Sequence, residues 1–268
     1  MKNKFLFLIV LGLLVSASLL LSAAFAQSKP IDIKYLYLGE GTETLKTVDK
    51  ANGNPISTNT IKVEKTKLEG KEYLYREDKG EGITGKDKTF KSWETQSWSL
   101  LEGNRLIPYS VKFVQKNKDG QVVYTIEKTY NFKDKKIYCK INGKSKEFTC
   151  YPDQVDKEQL GLTMGNYPFE AKEKKDISLH LFTHEPSMYK INAKFLGEEK
   201  VAIGKRTYDC YKLEMQVDLG ALNIIGAFIP KTYFWFQTKK PYDFVKYEGL
   251  ESGLNTPYVI MIKTEKGQ

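Results

Sequence analysis

Apolar and polar residues alternate with a period of two through most of the chain beyond residue 30. In Val122–Tyr130 the alternation sets Val122, Tyr124, Ile126 and Tyr130 on one face, with Val123, Thr125, Glu127 and Thr129 on the other. That is the pattern of a strand buried on one side. Tyr211, Leu213, Met215, Val217 and Leu219 form a second stripe, and Tyr189, Ile191, Ala193 and Phe195 a third. Further strands are expected at Ile31–Leu38, Ile61–Leu68, Glu72–Glu77, Phe90–Leu100, Tyr109–Gln115, Lys136–Ile141, Ile177–Thr183, Thr232–Gln237 and Tyr258–Lys263. No stretch of similar length keeps a helical period.

Turn residues punctuate the strands. Asp119-Gly120 predicts a two-residue hairpin loop, which would put Lys112 opposite Glu127, Phe113 opposite Ile126 and Tyr109 opposite Tyr130. Asn142-Gly143 and Leu196-Gly197-Glu198 mark further bends. Pro152–Asp176 is irregular, rich in Gly, Pro and charge, with a short helix expected around Asp153–Leu162. The expected fold is all-β: a single antiparallel meander curled into a half-barrel or open barrel, with one short helix or irregular insertion near 153–176. Curling hides the edges that so long a sheet would otherwise expose.

The N-terminus carries an address. Lys2 and Lys4 precede an apolar run from Phe5, which ends at Ala24-Phe25-Ala26, so residues 1–26 read as a signal peptide and 27–268 as a single all-β domain. The run could also span a bilayer as a retained anchor, but Ser16, Ser18 and Ser22–Ala24 favour cleavage. No cysteine precedes Cys139, which closes the route that acylates a cysteine at the cleavage point. After cleavage no transmembrane segment is expected, because the uncharged stretch Leu219–Pro230 is too short to cross. The protein is therefore read as exported, to the periplasm of a diderm host or otherwise secreted.

Losing Lys2 and Lys4 from 42 basic residues leaves 40 against 33 acidic ones, a net +7. Outside the cytoplasm nucleic acid is not an expected partner, and an anionic membrane surface or acidic polysaccharide suits the charge better. Along most of the chain, however, lysines alternate with acids and keep strand faces wet. Lys133–Lys146, the densest basic segment, reads the same way.

Catalytic chemistry has little to work with. His180 and His184 are the only histidines; with Glu185 they could hold a metal on a helix, but Ile177–Thr183 alternates like a strand and would separate them by about 13 Å. Neither a metal nor a cofactor is expected. Gly80-Glu81-Gly82-x-x-Gly85 lacks the helix of a phosphate loop and reads as a turn. Carboxylate-pair hydrolysis has no distinguished pair among 33 acids. Three cysteines allow a Cys139–Cys150 disulfide across a wide loop centred on Lys144-Ser145, a Cys150–Cys210 bridge, or three packed thiols. A strict Asn142-Gly143 loop would instead set Cys139 opposite Lys146.

Aromatic residues point to binding. Trp93 and Trp98 should face opposite sides of one strand. Phe234, Trp235 and Phe236 put aromatic rings on both faces of another. Just before it, Leu222, Ile224, Ile225 and Phe228 sit in a connection too apolar for open water, either a packed plug or a lid over an apolar groove.

The chain also resembles a bacterial envelope family catalogued as domain of unknown function 3108. The likeness lies in Glu199-Lys200-Val201-Ala202-Ile203-Gly204-Lys205-Arg206-Thr207-Tyr208-Asp209-Cys210-Tyr211-Lys212-Leu213, in Phe234-Trp235-Phe236, and in Lys240-Pro241-Tyr242-Asp243-Phe244-Val245-Lys246-Tyr247-Glu248. It extends to the closing Pro257–Lys263 strand and, upstream, to Leu106-Ile107-Pro108-Tyr109 and Tyr130-Asn131-Phe132. The resemblance implies an exported, curved-sheet protein and transfers no active site. A looser likeness, of fold only, is to periplasmic half-barrels that carry lipid or acyl chains. The leading expectation is a non-enzymatic envelope protein binding a lipid or other apolar small molecule, lined by Phe234, Trp235, Phe236, Leu222, Ile224, Ile225 and Phe228. The alternative is a structural or assembly factor that binds a protein or polysaccharide at the envelope.

Overall fold

The computed structural model describes residues 41–103, 105–218, 230–252 and 256–264. The expected signal segment, the Ile31–Leu38 strand and Leu222, Ile224, Ile225 and Phe228 lie outside the described residues. The first eight strands are β1 (Gly41–Asp49), β2 (Pro55–Leu68), β3 (Lys71–Thr84), β4 (Thr89–Glu102), β5 (Arg105–Asn117), β6 (Val122–Asn131), β7 (Lys136–Ile141) and β8 (Lys144–Thr149). After the short β9 (Gln154–Asp156) and α1 (Leu160–Gly165) come β10 (Ile177–Phe182), β11 (Met188–Ile203), β12 (Arg206–Val217), β13 (Thr232–Gln237), β14 (Phe244–Leu250) and β15 (Tyr258–Lys263).

The fifteen strands among the described residues form one sheet in the order β8-β7-β6-β5-β4-β3-β2-β1-β15-β14-β13-β12-β11-β10-β9. The meander runs outward in both directions from the β1–β15 pair, which joins the two halves of the sequence. One pairing departs from the expected antiparallel meander: β9 lies parallel to β10. This follows from the insertion, because α1 and the segment after it return the chain to the same end of the sheet before β10 begins. The sheet is open and curled, so that Phe182 of β10 packs with Val111, Phe113, Ile126 and Ile137 of β5 to β7.

Side-chain chemistry fixes the details of register. Lys112 lies opposite Glu127 and Phe113 opposite Ile126, as the pattern predicts. The Asp119-Gly120 loop is wider than expected. Asn117 Oδ1 accepts from the amides of Asp119 and Gln121, Asn117 N donates to Gln121 O, and three residues form the loop. A bulge then restores the register at Gln115–Tyr124. The pairing stops at Ser110–Thr129, so Tyr109 does not face Tyr130; its ring meets Tyr73 at 5.1 Å instead. Leu196-Gly197 is not a turn but a bulge inside the long β11.

Two sequence motifs find structural uses. Gly80 and Gly82 lie within β3, not in a turn. A Cβ at Gly80 would fall 2.3 Å from the Trp93 ring, so the glycine makes room for that indole. Trp93 then donates to Asp78, while Trp98 packs at 4.9 Å on Tyr75 on the opposite face.

Candidate functional site

The inner face of the curled sheet has an apolar sector and a polar one, covered by the segment from Asp156 to Phe169. Over the apolar sector Met164, Tyr167 and Phe169 pack against Leu213, Phe234 and Phe236, all nearly inaccessible. The space expected to hold an apolar ligand over Phe234 and Phe236 is thus taken by the protein's own insertion. Trp235 points the other way, into a smaller cluster with Val201, Ile203, Cys210 and Val245.

Opposite the polar sector the insertion presents charge. Lys128, on the inner face of β6, donates to Asp156 at 2.7 Å, and neither side chain is exposed at all. Tyr130 donates its hydroxyl to the same carboxylate, and burial, with Asp156 beside it, raises the phenol well above its ordinary pKa. Asp156 also caps the turn that leads into α1, accepting from Glu158 N while Gln159 accepts from Asp156 N. Arg76 of β3 bridges Glu158 of the insertion and Asp78 of its own strand. Asp78 further accepts from Asn59 at 3.0 Å. Gln159 donates to Ser99.

His184 completes this network. Its Nε2 lies 2.7 Å from Glu158, its ring stacks on Phe113 at 4.3 Å, and its carbonyl accepts from Tyr124. Burial and the nearby Lys128 ammonium lower the imidazole to about 4, against the pull of Glu158. The neutral ring therefore donates through Nε2 and leaves Nδ1 without a hydrogen-bond partner among the described residues. Burial would raise the Glu158 carboxyl, but Arg76 and the His184 hydrogen bond outweigh it and hold the group well below its ordinary range. Asp78, sharing the same guanidinium, is raised because burial dominates there.

The two histidines do not converge. His180 has its own carboxylate, Asp153 at 2.7 Å, and stacks on Tyr151 at 3.8 Å. No group of three or more His, Cys, Asp or Glu that could hold a metal occurs among the described residues. The Cys139–Cys150 disulfide is not formed. Asn142 and Gly143, both at positive φ, make a two-residue loop, which sets Lys146 opposite Cys139. Cys139, Cys150 and Cys210 are buried free thiols, and burial pushes them to about 11, 12 and 11.

An open concavity lies on the outer face, a groove of about 650 Å³ lined by Lys50, Glu199, Lys212, Pro230, Lys231, Tyr233, Trp235, Lys246, Glu248 and Tyr258. Register explains the grouping: Lys212 pairs with Trp235 and Trp235 with Lys246, so one row crosses β12, β13 and β14. Lys212 and Lys246 lie 4.8 and 4.4 Å from the Trp235 ring, whose N–H donates to Glu199. Glu248 accepts from Lys50 at 2.5 Å and Lys246 at 2.9 Å. Lys212 pairs with Glu199 at 3.3 Å and Lys231 with Glu214 at 2.9 Å. Sequence reasoning gave Trp235 a binding role but none of its charged neighbours, which come from β11, β12 and β14 and from the residues just after β1 and just before β13.

No family model matches the chain. No curated protein matches it. Among solved structures it is similar to a β-barrel-like protein of domain of unknown function 1849 from Brucella abortus, at 11% identity and a TM-score of 0.48, covering 83% of this chain and 93% of that one. A protein provisionally described as a lipoprotein, from Parabacteroides distasonis, is similar at 12% identity and a TM-score of 0.31, over 84% and 94% of the two chains.

Proposed function

We propose that this is an exported, non-enzymatic component of the bacterial cell envelope, a structural or assembly factor that binds its partner, a polysaccharide or a protein, on the outside of the curled sheet. The observation that carries this reading is the filled interior: Met164, Tyr167 and Phe169 occupy the space over Phe234 and Phe236. The signal-like segment at 1–26 supports export. Among the described residues no helix is long and apolar enough to cross a membrane. The resemblance to the envelope family of unknown function belongs to the same reading.

Native mass spectrometry of the gently purified exported protein tests it. The expected native mass equals that of the bare chain, with no apolar molecule released on activation. A discrete lipid retained by wild type and lost in a Phe234→Ser variant would replace this reading with that of an apolar-ligand carrier.

A further inference from the structure

We infer that the outer groove binds a neutral, hydroxyl-rich saccharide; this deepens the reading above and rests on its placing the partner outside the sheet. The groove is concave, open and built from both kinds of hydrogen-bonding group. A small anion finds little net attraction there, because each of the four lysines already has a carboxylate: Glu248 serves Lys50 and Lys246, Glu199 serves Lys212, and Glu214 serves Lys231. A lipid tail finds no continuous apolar lining: the Tyr233 and Trp235 rings touch at 5.9 Å, but Lys212 and Lys246 lie over Trp235 and Lys50 over Tyr258.

What the pairing leaves over is what a sugar needs. An ammonium has three donors and a carboxylate up to four acceptor positions, so paired groups retain capacity on both sides. Hydroxyl groups both donate and accept, and can join such a network without carrying charge into it. Lys50, Lys231 and Glu199 are the accessible members, with side chains 47%, 47% and 43% exposed. The aromatic rings supply the remaining surface. Lys212 lies 4.9 Å from the Tyr233 ring and Lys50 5.0 Å from Tyr258. Such contacts are weak at exposed sites, so a lysine can yield the electron-rich ring face to the weakly positive C–H face of a pyranose. The phenol of Tyr258 is anchored, donating to the Lys231 carbonyl at 2.6 Å, which holds that ring in place before any ligand arrives.

Calorimetric titration of the exported protein with cellotetraose and N-acetylchitotetraose, against a heparin tetrasaccharide, tests the inference. At least one neutral tetrasaccharide is expected to bind, with little dependence on salt. Tyr233→Ala should weaken that binding about tenfold. The Lys50→Met variant should weaken it while leaving the thermal midpoint in place, because Lys50 is exposed and Glu248 keeps Lys246 as its partner. Heparin binding that is tighter and falls steeply with salt would overturn the inference in favour of an anion site. So would the failure of both neutral sugars to bind. In either case a ligand-free native mass would leave the broader reading standing, whereas a retained lipid would remove that reading whatever the sugars do.

Discussion

Asp156→Ala is expected to destabilise the protein by about 3–5 kcal/mol, the cost of stranding a buried charge. The stranded group is Lys128, whose ammonium has no exposure and whose carboxylate partner is Asp156. The same substitution removes an acceptor from Tyr130 and the cap that starts the turn before α1. Chemical denaturation measures the loss, with Lys128→Met as its control. In the double variant Lys128→Met/Asp156→Ala much of the loss should be recovered, because the uncompensated ammonium is gone. A single-variant loss below about 1 kcal/mol would fit a solvated surface pair instead.

Mild acid should release the same region before the rest of the sheet. An unfolded imidazole takes up its proton near pH 6.5, whereas His184 in the fold does so only near 4. Between those values the unfolded chain binds more protons, so stability falls as pH falls, by about 3 kcal/mol across the window. Glu158 adds to this at lower pH. Its folded carboxyl lies below its ordinary value, and its contribution is fully present above the unfolded pKa of about 4.3 and is lost on acidification through the folded one. Asp78 acts in the opposite sense, since burial raises its carboxyl. Thermal midpoints measured from pH 7 to 4 should therefore decline in wild type and flatten between 6.5 and 4 in His184→Gln, which retains a donor for Glu158. An unchanged slope in that variant would remove His184 as the cause.

The strands were legible because their alternation is governed by burial on one face, which Ile126 and Tyr130, buried, and Glu127 and Thr129, exposed, report. The polar filling was written in the same rows but runs against the rule. Lys128 falls between Ile126 and Tyr130 on the apolar stripe, a position where a lysine requires a buried acid. Thr95, Ser97 and Ser99 repeat on one face of β4, and all three are buried. Their partners could not be read off, because Asp156 and Glu158 come from an irregular insertion and His184 from the loop between β10 and β11, with no period to place them. The cysteine pairing turned on one loop width, and positive φ at Asn142 and Gly143 decided it. The outer groove was invisible for another reason: Lys50, Glu199, Lys246 and Tyr258 are brought together by strand order across the β1–β15 seam.

Hydrogen exchange of individual backbone amides tests most directly whether the insertion belongs to the core. Amides hydrogen-bonded in β9 and at the end of α1 should exchange as slowly as those of the β12–β13 pair, because opening them would expose Phe234, Phe236 and the Lys128–Asp156 pair together. Fast exchange there, with β12 and β13 still protected, would mean that the insertion opens independently and that the interior is available to a ligand after all.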